Sequence, residues 1–219
     1  RGRAQCMVEI GGAQGKPTAA LVTSMDGPLG YCIGNSLEVE EAAATLLGHG
    51  PEDLTHECIM LSARLLQLAR KGTLEECLEQ AKRALEEKRA FEKFLQMIRA
   101  QGGQTQQIER GEPWTAAAFS VEVCSPADGY LTHMNTEKIG LAAMLLGAGR
   151  ETKESVIDHA AGIRLMKKTG DRVQKGEVLA RLYSNDAAKQ AGAQQVFLEA
   201  LQFDAMPPAN QPAVLGYVD

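Results

Sequence analysis

The sequence predicts an α/β protein whose second half changes to a mixed α+β pattern. An apolar, β-branched segment at residues 18–22 precedes a glycine-rich loop and a helical pattern, which is the strand–loop–helix unit of α/β folds. Further amphipathic helical patterns follow it. After a polar connector at residues 104–114, short alternating segments separated by turns predict strands. These observations predict two domains, residues 1–112 and 113–219.

Composition and charge exclude several classes of protein. The chain has 219 residues, of which 44% are hydrophobic and 23% charged, and this suffices for one or two domains with a sizeable core. Its net charge of −5 argues against a surface that binds nucleic acid or an acidic membrane. There is no run of about 18 apolar residues, so we expect no membrane-spanning helix.

The cysteines predict free, buried thiols in a reducing, cytoplasmic compartment. They are odd in number and widely spaced, each stands in an apolar context, and no Cys-x-x-Cys motif occurs. The histidines show no metal-ligand spacing. The chain begins with Arg-Gly-Arg-Ala and no apolar leader, so we expect no signal peptide and a start inside a longer polypeptide. The cysteines are Cys6, Cys32, Cys58, Cys77 and Cys124.

The segment Thr23–Ala42 is the first candidate site. About a dozen residues separate the predicted strand from the next helix, whereas an ordinary βα connection needs only about two to six. The turn dipeptides Gly27-Pro28 and Gly34-Asn35 direct backbone carbonyls and amides towards a cavity. The alternative is an ordinary connection, but the length of the segment favours a functional loop.

Periodicity predicts the elements around this segment. A helix over residues 4–12 and a strand over 18–22 form half of a βαβ unit, so we expect a parallel sheet with an unpaired edge at 18–22. Thr73 and Glu76 predict a capping box. Further helices are predicted over residues 37–47, 52–70, 74–85, 89–100, 136–146 and 190–203. Further strands are predicted over residues 119–124, 130–133, 163–166, 178–183 and 213–218.

Two motifs admit two interpretations each. The run Gly147–Arg150 could bind an anion through backbone amides, or it could end a helix before a loop, which we favour. Asp158 and His159 could act as an acid–base pair. Because adjacent side chains on a strand point to opposite faces, a buried, hydrogen-bonded histidine is the favoured interpretation.

The segment Gly170–Leu179 resembles the hairpin of lipoyl and biotinyl carrier domains. It reads Gly170-Asp171-x-Val173-x-Lys175-Gly176-x-x-Leu179. A carrier needs a lysine on a second hairpin, and Lys138 is the candidate. Since Lys138 lies early in a predicted helix, a non-catalytic carrier or binding module is the alternative that we do not favour.

Four blocks of the sequence resemble the carboxyl-terminal half of pyrimidine-nucleoside and thymidine phosphorylases. Together they cover nearly the whole chain in the order that the family has. The first is Thr23-x-Met25-Asp26-x-Pro28-Leu29-Gly30-x-x-x-Gly34-Asn35-x-Leu37-Glu38-Val39-x-Glu41-Ala42. The others are Gly50-Pro51-Glu52-Asp53-Leu54, then Leu146-Gly147-Ala148-Gly149-Arg150 with Ile157-Asp158-His159-Ala160-x-Gly162-Ile163, and Gly170-Asp171-x-Val173-x-Lys175-Gly176-Glu177.

The resemblance implies the last part of an α/β catalytic domain, followed by an α+β, barrel-sandwich-like (hammerhead) domain. It implies a homodimeric enzyme that uses phosphate to split thymidine, uridine and deoxyuridine into free base and pentose 1-phosphate. The family's Gly-His-Thr-Gly-Gly phosphate loop and its Ser-x-x-x-Lys helix do not occur in these 219 residues. We therefore assign no catalytic residue within the chain and expect the chain alone to be inactive.

The resemblance also implies a monovalent-cation site, for potassium, and no organic cofactor. The ligands here would be the carbonyl oxygens of Leu29 and Cys32 and the carboxylate of Glu41. Hard cations prefer such oxygen ligands, and a carbonyl ligand requires no particular side chain. The segment Gly147–Glu154 resembles a loop that becomes ordered when the family's two domains close over substrate.

Overall fold

The computed structural model describes residues 2–112, 114, 116–209 and 212–219. This part of the chain contains both helices and strands, which confirms a mixed α/β composition. None of the described helices is both long and apolar enough to cross a lipid bilayer. The helices are α1 Gly2–Ala13, α2 Asn35–Leu46, α3 Glu52–Leu68, α4 Leu74–Glu86, α5 Arg89–Ala100, α6 Gln106–Glu109, α7 Thr136–Ala143 and α8 Ala188–Glu199. The strands are β1 Ala20–Thr23, β2 Cys32–Gly34, β3 Phe119–Cys124, β4 Gly129–Met134, β5 Gly162–Leu165, β6 Arg172–Val173, β7 Val178–Ser184, β8 Leu201–Asp204 and β9 Val214–Val218.

The chain forms two compact units, each assembled from separate stretches of sequence. The first unit contains the described residues of Arg1–Ser24, Ala44–Gly103 and Gln211–Asp219, and the second contains those of Met25–Ala43 and Gln104–Asn210. The predicted domain boundary falls at Pro113, outside the described residues, so the division into residues 1–112 and 113–219 stays a prediction.

The first unit combines helices with a small antiparallel sheet. β1 pairs with β9, with Ala20 opposite Val218. α4 begins with the predicted capping box, in which Thr73 Oγ1 accepts a bond from Glu76 N–H and the Glu76 carboxylate accepts one from Thr73 N–H. Phe91 and Leu95, four residues apart on α5, bury the same helical face.

The second unit contains two antiparallel sheets around one apolar core. The first sheet has the strand order β2-β5-β7-β3 and the second has the order β6-β4-β8. Helices α7 and α8 contribute to the same core as both sheets. Because β2 is an edge strand, its outer side lacks a strand neighbour within the described part of the chain. The fully buried large side chains of this core include Phe197, Leu131, Met134, Ile139, Leu146, Ile163 and Leu182.

The prediction of a parallel sheet at residues 18–22 is wrong. β1 pairs antiparallel with β9, a strand almost two hundred residues later in the chain. The predicted strand–loop–helix unit is also incomplete, because a short strand, β2, pairs with β5 between the loop and α2. β2 has only three residues, which are too few to show the alternating pattern of a strand. Its strand conformation is defined by the pairing with β5.

The terminal helix predicted over residues 190–203 ends four residues early. α8 stops at Glu199, and β8 begins at Leu201 and pairs with β4. Leu201 is buried whereas Gln202 and Asp204 are exposed, and this alternation is typical of a strand. The apolar helical spacing continues into Leu201, which explains why the sequence pattern hid the change from helix to strand.

The capping box at Thr73 predicts a local contribution to stability. Thr73→Ala removes the hydroxyl that accepts the Glu76 N–H, so the free energy of unfolding should fall by about 1 kcal/mol. Thr73→Ser, the matched control, keeps the acceptor and should remain close to the parent. Urea denaturation would measure this as a lower midpoint at unchanged slope. Equal midpoints for the alanine and serine variants would contradict the prediction.

Candidate functional site

The centre of the candidate site is the carboxylate of Glu41, on the second turn of α2. Its two oxygens accept hydrogen bonds from Tyr31 N–H at 2.9 and 3.2 Å, and Oε2 also accepts one from Cys32 N–H at 3.2 Å. The loop before β2 therefore curves around this side chain. We call the arrangement of Leu29, Gly30, Tyr31, Cys32 and Glu41 the Glu41 corner.

Gly30 is required in the Glu41 corner for two reasons. Its φ of +69° lies in the left-handed region, which side chains disfavour. A Cβ atom on Gly30 would also lie 2.3 Å from Glu41 Oε2, far inside contact distance. The glycine thus leaves the space that the carboxylate occupies. Gly27, in the same loop, differs, because an added Cβ would meet only Thr169 Oγ1 at 3.7 Å.

The register of β2 gives the direction of the Cys32 carbonyl. Tyr31 C=O accepts a bond from Leu165 N–H at 2.7 Å, and Cys32 is the next residue, opposite Arg164. In an antiparallel pair the backbone groups of successive residues alternate between the two sides of a strand. The N–H and C=O of Cys32 therefore face away from β5, towards the side on which Glu41 accepts its N–H. The structure brings Cys32 and Glu41 together, and it places Leu29 on the same loop, 42% exposed.

Two contacts from other elements of the second unit hold this loop. Thr136 Oγ1, on α7, donates a hydrogen bond to the Met25 carbonyl at 2.9 Å. The Lys168 ammonium lies 5.1 Å from the centroid of the Tyr31 ring, within the range of a cation–π interaction. Both ends of the loop are thus tied to the fold.

The electrostatic environment of the corner keeps the Cys32 thiol protonated. Burial raises the pKa of Cys32 to about 12, the negative charge on Glu41 acts in the same direction, and the Arg164 guanidinium acts against both. Arg164 also lies 3.9 Å from Glu40 Oε2. Above the ordinary pKa of 9.0 the unfolded thiol loses its proton while the folded thiol keeps it, so this group lowers folding stability progressively as pH rises from about 9 towards 12.

β2 and β5 approach closely at a pair of glycines. Gly34 is opposite Gly162 in the register. A Cβ on Gly162 would lie 2.4 Å from the Ile33 carbonyl oxygen, and one on Gly34 would lie 2.7 Å from the Ala161 carbonyl oxygen. Gly34 also has a φ of +140°. Larger residues would separate the two strands and move the start of α2.

The run Gly147–Arg150 ends a helix, as the sequence favours. α7 continues into a wider, π-type turn, Met144–Ala148, in which Gly147 leaves helical geometry with a φ of +113°. Three successive carbonyls at this end accept bonds from different segments: Leu146 from Ser184 Oγ at 2.7 Å, Gly147 from Asp158 N–H at 2.9 Å, and Ala148 from Asn35 Nδ2 at 2.8 Å. These bonds supply the partners that the last carbonyls of a helix lack.

Asp158 and His159 form neither an acid–base pair nor a buried histidine contact. They lie in a turn rather than on a strand, and His159 is exposed, so the favoured interpretation is wrong. The Asp158 carboxylate accepts bonds from Ala160 N–H at 3.0 Å and from the side-chain amide of Asn185 at 3.0 Å. Its role is to hold the turn.

Other sequence predictions have mixed outcomes. Lys138 lies on α7, as expected, and its backbone N–H donates a hydrogen bond to the side chain of the Asn135 cap.

The five cysteines are free, but Cys6, Cys58 and Cys124 are exposed, so the prediction that all are buried is wrong. Among the described residues, no group of three or more His, Cys, Asp or Glu side chains is placed so that it could hold a metal ion.

Sequence reasoning missed Asn35, Ser184 and Asn185 as structural contacts. Asn35 belongs to a turn dipeptide and to the first family block, but neither pattern predicts that its amide reaches a carbonyl 113 residues later. Ser184 is completely buried at the end of β7, where its hydroxyl bonds Leu146. The sequence did contain a signal for this contact, namely a polar residue, Ser184, at the end of an apolar strand.

The fold and the Glu41 corner define a mixed α/β protein with a loop that curves around a carboxylate at the edge of a sheet. A family model described as "Pyrimidine nucleoside phosphorylase C-terminal domain" matches residues 130–204. Over 183 residues, or 83% of this chain, the sequence is 43% identical to the pyrimidine-nucleoside phosphorylases of Geobacillus stearothermophilus and Bacillus subtilis. It is 41% identical over the same length to that of a Staphylococcus epidermidis strain.

The chain belongs to the pyrimidine-nucleoside phosphorylase family. The resemblance seen in the sequence motifs is thereby confirmed. The matched region makes up 42% of the length of each of these relatives.

Thiol labelling tests the environment of Cys32. At pH 8 an alkylating reagent should modify exposed Cys6 and Cys124 readily and Cys32 about a hundredfold more slowly, because the thiolate is the nucleophile and burial raises the pKa of Cys32. Mass spectrometry of tryptic peptides would follow each site. Cys77, also buried, is the internal control for restricted access. Labelling of Cys32 at the rate of Cys6 would contradict the assignment.

Proposed function

We propose that this chain is part of an enzyme that carries out the phosphorolysis of pyrimidine nucleosides. The substrates would be thymidine, uridine and deoxyuridine, and the products a free base and a pentose 1-phosphate. The observation that carries this proposal is the 43% identity to pyrimidine-nucleoside phosphorylases over 183 residues. The proposed reaction is a pentosyl transfer in which phosphate attacks C1′ as the base leaves.

The chain alone contains one part of the proposed site. Phosphorolysis requires groups that orient phosphate and nucleoside and that stabilise charge on the departing base. The sequence motifs that the family resemblance assigns to phosphate, Gly-His-Thr-Gly-Gly and Ser-x-x-x-Lys, do not occur in the 219 residues. The Glu41 corner would support the site rather than supply these groups.

Activity measurements test this division of roles. The 219-residue chain should give no phosphorolysis of uridine or thymidine above background in phosphate buffer. The complete polypeptide read from the genomic locus should contain both missing motifs and should be active, with pentose 1-phosphate as product. Turnover by the isolated chain would contradict the first expectation. An inactive complete polypeptide that contains both motifs would contradict the proposed function itself.

The Glu41 corner is proposed as a monovalent-cation site, for potassium. Three observations support the fit: a carboxylate faces the loop, the Cys32 carbonyl is directed to the same side, and Gly30 leaves the room that lets this carboxylate lie against the loop. Leu29 would add a second carbonyl. The cation would supply fixed positive charge that holds the loop and α2 in place, and no organic cofactor is part of the proposal.

Cation-dependent stability tests the site. Replacing choline chloride by potassium chloride at constant ionic strength should raise the melting temperature of the chain, because a ligand that binds only the folded state stabilises it. Glu41→Gln and Gly30→Ala should abolish this potassium increment, since one removes the charge and the other displaces the carboxylate. Gly27→Ala is the matched control and should retain it. An increment in Glu41→Gln equal to that of the parent would refute the assignment.

Further properties follow from the family resemblance and belong to the same proposal. The complete polypeptide would be a homodimer, and its carboxyl-terminal part would have the hammerhead arrangement. The loop Gly147–Glu154 would become ordered as substrate binds. The five free cysteines support a reducing, cytoplasmic location.

A further inference from the structure

The segment after α7 forms a loop whose ends are held together. Gly147 C=O accepts a bond from Asp158 N–H at 2.9 Å, so residues 149–157 form a compact loop of the Ω type. Within it, Thr152 N–H donates to Ser155 Oγ at 3.0 Å. We call residues 149–157 the Ω-loop.

The first two residues of α2 contact both ends of the Ω-loop. Asn35 Nδ2 donates to Ala148 C=O at 2.8 Å, just before the loop, and Ser36 N–H donates to His159 C=O at 3.2 Å, just after it. The Asn35 contact is partly buried, which shields it from competition by water. The N-terminus of α2 therefore closes the base of the Ω-loop.

The same helix also carries the groups that hold the Glu41 corner. Glu38 Oε1 accepts a bond from Gly34 N–H at 2.9 Å, and Glu41 accepts the Tyr31 and Cys32 N–H groups. Asn35, Glu38 and Glu41 are spaced by three residues, so they lie along one side of α2. A rigid helical segment of two turns thus joins the loop base to the corner.

We propose that Asn35 is a positioning residue that couples the Ω-loop to the Glu41 corner, so that a cation in the corner slows the opening of the loop. The coupling rests on the proposed cation site; the anchoring of the loop by Asn35 does not. In the complete enzyme, Asn35 would link cation binding to the segment that is proposed to cover the substrate. It would do so without contacting the cation or the substrate.

The side-chain amide of Asn35 can be replaced by a group of nearly the same shape that cannot donate a hydrogen bond. Asn35→Asp has almost the same shape but replaces the donor amide by a carboxylate oxygen that repels the Ala148 carbonyl. An acidic residue at the first position of a helix is favourable for the helix dipole, so this change does not weaken α2 itself. The matched control is Asn135→Asp, because that side chain caps α7 as an acceptor from Lys138 N–H and retains this role.

Limited trypsin digestion measures how often the Ω-loop opens. Arg150 and Lys153 are exposed Ω-loop residues, and each is followed by a cleavable peptide bond. When opening is fast relative to cleavage, the rate of cleavage follows the population of the open loop. The experiment compares the parent, Asn35→Asp and Asn135→Asp chains in potassium chloride and in choline chloride. Appearance of the peptide that ends at Arg181, on β7 between β5 and β3, reports unfolding of the second unit as a whole.

The expected result has two parts. Asn35→Asp should raise cleavage at Arg150 and Lys153 about fivefold or more, as the loss of one hydrogen bond predicts, without faster cleavage at Arg181. Potassium should slow loop cleavage in the parent and in Asn135→Asp but not in Asn35→Asp. If Asn35→Asp does not fold, Asn35→Ser is used, because its hydroxyl is too short to reach Ala148 and serine is tolerated at helix starts.

Each contrary outcome has a defined meaning. Unchanged loop cleavage in Asn35→Asp overturns the anchoring role. Faster cleavage that potassium still slows by the parent's factor overturns the coupling. If potassium leaves the parent's loop cleavage unchanged, the coupling is also overturned. The rise in melting temperature in potassium chloride then shows whether the cation site is also contradicted. The coupling and the cation site are therefore tested separately.

Discussion

The close contact of β2 with β5 at Gly34 and Gly162 is the constraint on which the candidate site depends. With hydrogen atoms in place of side chains at this pair, the two backbones meet at distances that a Cβ would not permit. The contact fixes the register of β2, and the register directs the backbone of Cys32 to the outer edge of the sheet. It also places the start of α2 beside the segment that includes His159.

The edge position of β2 gives the Glu41 corner its chemistry. An edge strand has backbone groups without a strand partner, and proteins cover such groups with side chains or loops. Here Glu41 accepts the N–H groups of Tyr31 and Cys32, and its carboxylate lies on the side to which the Cys32 carbonyl is directed. The same negative charge contributes to the raised pKa of the buried Cys32 thiol, with Arg164 acting in the opposite direction.

The end of the helical segment α7 shows how a loop can be held without its own secondary structure. Its last carbonyls bond to the hydroxyl of Ser184, the backbone of Asp158 and the amide of Asn35. These donors come from three separate segments of the second unit. Each loop end is therefore fixed by tertiary contacts, while the residues between Gly149 and Ile157 are largely exposed. Such a construction permits the loop to open without disturbing the core.

The sequence by itself determined the elements that depend on local chemistry. The Thr73 capping box, the bounds of α5 and β3, and the glycine end of α7 follow from residues within a few positions of each other. Motif order also identified the family and selected Leu29, Cys32 and Glu41 as candidate ligands. Only the tertiary structure decided the antiparallel pairing of β1 with β9, the existence of β2, and the contact of Asn35 with Ala148. These contacts join residues more than a hundred positions apart, and each uses a backbone group of at least one partner. Because every residue type carries such groups, the sequence pattern does not show which of them will meet.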